Sequence, residues 1–207
     1  MKAYIYTGGN IYPQNITEHP KGECITIAAD SGYNNAKALG EAVDILLGDF
    51  DSLGEKNIPK NLEVIKVPAE KDFTDTQLAV QYATDKGATE IYIIGGLDGR
   101  LDHTMSNIAI LRDLADKNIP AVITDGNNRI RYIRATSTLL ARSQFKYISL
   151  LADGEKVKGV SVEGCKYPLK NATLTNKYQY AVSNEITGNC ALISVKKGGI
   201  FIIESKG

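Results

Sequence analysis

Acidic residues gather at three places in the first half of the chain, each after an apolar run. They read Gly48-Asp49-Phe50-Asp51-Ser52, Lys71-Asp72-Phe73-Thr74-Asp75, and Gly95-Gly96-Leu97-Asp98-Gly99-Arg100-Leu101-Asp102-His103. Carboxylates brought together repel unless a cation sits among them, and hard oxygen donors suit Mg2+. Beside them stand one Lys and one Arg, a point charge and a planar fork that both suit phosphate oxygens. The chemistry of such a set is Mg2+ with a polyphosphate.

Each of these residues also has a plainer role. Asp49 and Asp51, at i and i+2, are turn formers; burying both after an apolar run without a cation would be costly. Thr74-Asp75-Thr76-Gln77 is a capping box with Thr74 as N-cap. Asp75 then sits in the first helical turn, where the macrodipole favours it, and can still reach a metal. Lys71 is either a solvated lysine or a phosphate contact. Asp102 either caps the helix that follows or orders Arg100. His103, one of two histidines, suits a supporting or capping role better than catalysis. The glycines at 95–99 lead into a helix N-terminus, which favours anions. No Gly-Lys-Ser/Thr follows and the Gly-X-Gly spacing is broken, so a P-loop kinase and a dinucleotide-binding dehydrogenase are both disfavoured.

The elements that must position these residues are legible as alternating patterns. Apolar runs at 45–47, 64–67 and 91–94 read as buried parallel strands, with a first strand near 3–6 and another at 24–29 ending at Asp30-Ser31-Gly32. Helical spacing follows at 33–39 with Gly40 as C-cap, from Thr74 to near Gly87, and from Met105 to Asn118-Ile119-Pro120. A short strand at 121–124 ends at Asp125-Gly126. Strand alternating with helix predicts a parallel sheet with helices on both faces, and ligands bind outside the carboxyl ends of such strands. After Asn127-Asn128 the texture turns to short β runs at 147–151, 157–162, 191–195 and 200–203. Asp153-Gly154 and Gly198-Gly199 read as hairpin turns between them. The expectation is an α/β domain at 1–128 and a smaller all-β, sandwich- or jelly-roll-like domain at 129–207.

Composition removes several function classes. The formal net charge of the 207 residues is +0, which leaves no general basic field for nucleic acid. No stretch approaches the roughly 20 apolar residues of a membrane span. The N-terminus reads as strand and turn rather than a signal peptide. Cys24, Cys165 and Cys190 show neither metal spacing nor a disulfide framework. They read as small buried hydrophobes, consistent with a reducing cytoplasm.

Taken in order and spacing, Asp30-Ser31-Gly32, the motifs around Asp49-Phe50-Asp51 and Asp72-Phe73-Thr74-Asp75, and Gly95-Gly96…Gly99-Arg100-Leu101-Asp102-His103 resemble the thiamine pyrophosphokinases. Ser183-Asn184-Glu185 resembles that family's thiamine-site segment, so the likeness covers nearly the whole chain. The resemblance implies transfer of a pyrophosphoryl group from ATP to thiamine, giving thiamine pyrophosphate and AMP. It implies a homodimer, with each active site between the α/β domain of one subunit and the β domain of the other. It implies Asp49, Asp51 and Asp75 as Mg2+ ligands, with Asp30, Lys71 and Asp72 around the phosphates and thiamine. Arg100, Asp102, His103 and Asn107 would hold ATP, and Ser183 and Asn184 would contact thiamine from the partner subunit. This sequence departs from the animal members in having Lys71 in place of a neutral amide. It has no Trp, and Ile186 follows Ser183-Asn184-Glu185 where those members stack thiamine on an aromatic ring; Tyr178, Tyr180 and Phe201 are the candidate substitutes. Two rivals remain: a phosphatase or phosphotransferase with Asp49 as nucleophile, similar to the haloacid-dehalogenase-like enzymes, and a nucleotide- or thiamine-sensing module without turnover.

Overall fold

The computed structural model describes residues 1–50, 62–68, 70 and 72–207. The expectations for Asp51 and Lys71 therefore fall outside the described residues. Two compact units result, Met1–Leu114 with Asn118–Gly126, and Asn127–Gly207 with Ala115–Lys117.

The first unit holds β1 (Lys2–Tyr6), β2 (Cys24–Ala29), α1 (Gly32–Leu39), β3 (Ile45–Gly48), β4 (Glu63–Lys66), α2 (Asp75–Asp85), β5 (Glu90–Ile94), α3 (Leu101–Asp116) and β6 (Ala121–Thr124). The strands run parallel in the order β4-β3-β2-β1-β5-β6. From β1 the chain steps outward to β4, then crosses back to β5 and β6. Right-handed crossovers in opposite directions put their helices on opposite faces. Both faces of the inner strands are accordingly dry, with Tyr6, Ala28 and Leu46 buried on the α1 side and Ala3, Ile5, Ile27 and Ile93 on the other, whereas the edge strand β4, expected to be buried, is mostly exposed. The reversal of strand order between β1 and β5 is the switch point at which such sheets open a ligand crevice.

The helix signals hold. Gly40 has φ +70 at the C-cap of α1. Thr74 and Gln77 form the reciprocal capping box of α2, which places Asp75 in its first turn. α3 begins at Leu101, four residues before the apolar period starts, because its first turn is polar and exposed on three of four positions.

The second unit holds β7 (Asn128–Arg134), β8 (Ser137–Ala141), β9 (Tyr147–Glu163), β10 (Leu169–Leu174), β11 (Cys190–Ser194) and β12 (Lys197–Ser205). They are ordered β7-β12-β9-β11-β8, with β10 also on β9, and every pair within the unit is antiparallel. Two turn expectations are corrected. Asp153-Gly154 does not reverse the chain, because β9 is continuous through it. The inward residues switch phase instead, from Ile148, Leu150 and Ala152 to Val157, then Val160 and Val162. Gly198-Gly199 lies inside β12, at the register shift between Lys197 and Gly199 against β9. The cysteines are free, but only Cys165 is buried; Cys190 is exposed where β11 pairs with Ala141 of β8. Among the described residues no helix is long and apolar enough to cross a membrane.

Candidate active site

The carboxyl ends of β1, β2, β3 and β5 open on a cleft of about 630 Å³ in the first unit. Its walls include Asp30, Asp49, Asp72 and Asp75 together with Arg100, His103 and Asn107. These are seven of the ten candidates that the sequence places in this unit; Asp102 is not among them, and Asp51 and Lys71 lie outside the described residues.

Sequence-local reasons explain why each loop is there. Gly32 opens α1 under β1: a Cβ on it would stand 2.1 Å from the Tyr6 carbonyl oxygen, so only glycine lets the helix start this close. That approach sets Asp30, which is buried and turned into the left-handed region at φ +46. Asp30 accepts its place from β3 as well, its N–H donating to the Leu47 carbonyl at 2.8 Å. Gly48 packs against Asp30, with a Cβ position 3.1 Å from the Asp30 Cβ, which brings Asp49 alongside. Non-glycine residues in this region carry strain of order 1–3 kcal/mol, a cost typically retained where a site needs it.

The glycine turns are tied by side chains. Asn35 of α1 donates from Nδ2 to the carbonyls of Thr7 (2.7 Å) and Gly9 (2.9 Å). Thr7 and Thr76 share a buried hydroxyl hydrogen bond of 2.7 Å, joining the end of β1 to the first turn of α2. Asn107 reaches from α3 to the Gly96 carbonyl. The Gly96 N–H in turn donates to the Gly8 carbonyl at 2.8 Å. The result is two glycine-rich turns held edge to edge, with open backbone facing the cleft.

Asp102 is not a lining residue. It sits in the first turn of α3 and grips Arg100, Nε to Oδ1 at 3.2 Å and Nη2 to Oδ2 at 2.6 Å. The arginine hydrogen bond, helped by the His103 N–H, holds the Asp102 carboxyl down at about 2. Of its two sequence roles, ordering Arg100 is the one realised.

Asp72 and Arg100 are exposed, Asp49 and Asp75 half-buried. Such a set is chemically able to hold a hard cation and the oxygens of a polyphosphate. Among the described residues no group of three or more His, Cys, Asp or Glu is close enough to hold a metal alone.

Thr7, Gly8, Gly9, Ser31, Thr76 and Asp98 also line the cleft and were not among the sequence candidates. The signal for the first three was present, since Thr7-Gly8-Gly9 repeats the strand-then-glycine-pair pattern of Gly95-Gly96.

In the second unit Ser183 and Asn184 lie on the segment that leads to β11. Ser183 is exposed with φ +58, and its N–H donates to Ser149 Oγ at 3.0 Å. Asn184 pairs its backbone with Ile148 in both directions. Ile186 bridges Cys165 and packs on the core. Of the candidate aromatics, Tyr178 and Tyr180 are exposed near this segment, while Phe201 packs against Tyr132 at 4.9 Å.

The chain matches the family model described as the thiamin pyrophosphokinase catalytic domain over residues 18–123, and that of the thiamin pyrophosphokinase vitamin B1 binding domain over 136–200. It is 31% identical to thiamine pyrophosphokinase of Bacillus subtilis (strain 168), over 97% of both chains. It is 28% identical to thiamin pyrophosphokinase 1 of Caenorhabditis elegans, over 86% of this chain and 78% of that one. The crystal structure of the Bacillus subtilis thiamine pyrophosphokinase superposes with a TM-score of 0.88, covering all of both chains at 28% identity.

Proposed function

As a member of the thiamin pyrophosphokinase family this chain transfers a pyrophosphoryl group from ATP to thiamine, and we propose that the four-aspartate cleft of the first unit is where it does so. The observation that carries this reading is the convergence of Asp30, Asp49, Asp72 and Asp75 with Arg100 on one cleft floored by glycine backbone.

In this reading Asp49 and Asp75, with Asp51, hold Mg2+. The ion, when bound, neutralises charge on the phosphate oxygens. Arg100, squared by Asp102, takes the nucleotide phosphates, with His103 and Asn107 behind it. Asp30 and Lys71 border the transferred group. The thiamine hydroxyl oxygen bonds to the β-phosphorus as the bond from that phosphorus to the α,β-bridging oxygen breaks, and AMP leaves with the bridging oxygen. Asp72 accepts the hydroxyl proton late in the step. Most of the acceleration comes from alignment and charge neutralisation.

The second half of the reading is a homodimer, in which residues 129–207 of one subunit bring Ser183 and Asn184 to thiamine on the catalytic domain, 1–128, of the other. A cytoplasmic setting accompanies it, supported by three free thiols. The test is product analysis with ATP, Mg2+ and thiamine, before and after chelation. AMP appearing with thiamine pyrophosphate, and only with divalent metal, is the expected result. ADP with thiamine monophosphate, or metal-independent turnover, refutes it.

A further inference from the structure

Asn35 holds the turn that follows β1 at two points, and that hold decides where the turn's N–H groups point. Its Nδ2 donates one proton to the Thr7 carbonyl at 2.7 Å and the other to the Gly9 carbonyl at 2.9 Å. Both partners are acceptors, so the nitrogen end of the amide, with its two protons, is the end that must face them. The same nitrogen would stand 3.1 Å from a Cβ on Gly95, so the side chain is seated between the two glycine turns.

In a planar trans peptide the C=O and the N–H point in opposite directions, and no cis peptide bond occurs among the described residues. The Thr7 carbonyl is turned to Asn35, so the Gly8 N–H is turned away from it. The Gly8 carbonyl is turned to the Gly96 N–H, so the Gly9 N–H is turned away from that second turn. Both glycines line the cleft. Among the described residues no protein group accepts from either N–H. A backbone donor that its own protein leaves over is open to water or to a ligand.

Ser31 stands beside Gly8. It holds the N-cap position of α1, but its side chain makes no cap hydrogen bond. Its Oγ lies over Gly8 instead, 2.7 Å from where a Cβ on that glycine would be. Ser31 also lines the cleft, and among the described residues its hydroxyl has no protein partner. Two neutral donors, one of them on backbone clamped by a side chain from α1, therefore sit together at the cleft wall with nothing of the protein's own to bond.

We infer that the Gly8 N–H and the Ser31 hydroxyl donate to a phosphate oxygen of the nucleotide, and that Asn35 is a positioning residue acting through the Gly8 peptide. The inference rests on the pyrophosphokinase reading above and deepens it. Donors whose direction is fixed before the ligand arrives need no reorganisation as charge shifts among the phosphate oxygens.

The experiment is steady-state kinetics on the full-length enzyme, with NMR of the 15N-glycine-labelled protein titrated with magnesium tripolyphosphate. Asn35→Ala and Ser31→Ala each raise the ATP KM about tenfold, with the thiamine KM unmoved. A purely structural role for Asn35 would instead lower the melting temperature and the amount of active enzyme and leave both KM values alone. The Gly8 amide signal moves with tripolyphosphate in the wild type and stays still in Asn35→Ala. Should Asn35→Ala fail to fold, the wild-type Gly8 titration and the Ser31→Ala kinetics decide the matter. A Gly8 signal that ignores tripolyphosphate, or an ATP KM unchanged in the variants, overturns the inference, while wild-type formation of AMP and thiamine pyrophosphate leaves the function standing. A wild type that makes neither product defeats the function instead, and the Gly8 titration still decides the anion site.

Discussion

Asn107 Nδ2 donates to the Gly96 carbonyl at 3.1 Å in a buried site, and the same nitrogen would stand 2.6 Å from a Cβ on Gly96. Helix α3 and the glycine turn are thus fitted to each other with no room for a side chain. Asn107→Ala leaves that carbonyl without its donor, at a cost of about 1–3 kcal/mol. Urea denaturation should register that loss, and the ATP KM should rise while the thiamine KM holds. A variant with wild-type stability and ATP KM would remove Asn107 from the site.

Asp102 supplies the pH-dependent prediction. Its folded value lies near 2, below the ordinary 3.8, chiefly through the Arg100 hydrogen bond. A depressed carboxyl contributes its stabilisation above the unfolded value and loses it as pH falls through the folded one. The fork is therefore complete above about pH 4 and opens toward pH 2. Both side chains are solvent-exposed, 71% and 63%, so salt screens the pair and its effect is on Arg100 geometry rather than global stability. Carboxyl-detected NMR should find the Asp102 midpoint near 2, moving back toward 3.8 in Arg100→Gln. A midpoint already at the ordinary value would mean the fork is absent in solution.

Much of this was legible because it is local. The capping box at Thr74, the C-cap at Gly40 and the apolar runs of β3 and β5 are each decided by residues a few positions apart, and the strand-then-acid pattern follows from the parallel sheet. What escaped depends on distant partners. Nothing near Asp153-Gly154 announces that both halves of β9 are held by other strands, the first by β12 and the second by β10 and β11, which keeps the chain extended where a hairpin was expected. Asp51 and Lys71 stay at the level of sequence.

Asp49→Ala should abolish Mg2+-dependent turnover with the fold retained, because Asp49 is half-buried at the rim of β3 and makes no part of the hydrophobic clusters. Circular dichroism and a Mg2+ titration of activity check it. Full activity at ordinary Mg2+ would take Asp49 out of the metal set.

Asp72→Asn separates proton acceptance from metal binding. The amide keeps the shape and loses the base, so kcat should fall about 100-fold or more with the Mg2+ dependence unchanged. A near-normal kcat would dismiss Asp72 as the base and leave positioning and charge neutralisation to account for the rate.

Glu204, 1% exposed, holds two arginines in the second unit: Oε1 takes Arg129 Nη2 at 2.7 Å, and Oε2 takes Arg129 Nε at 2.8 Å and Arg131 Nη2 at 3.0 Å. Cross-strand register makes this unavoidable, since Glu204 lies directly opposite Arg129 on β7. Removing the carboxylate takes the shared counter-charge from two guanidiniums that are only 14% and 21% exposed. Glu204→Ala should therefore cost about 3–5 kcal/mol, whereas replacing all three residues with apolar ones of similar volume should cost far less. Urea midpoints of the two variants decide it. If the triple replacement were as unstable as Glu204→Ala, the destabilisation would come from lost packing around β7 and β12, not from uncompensated charge.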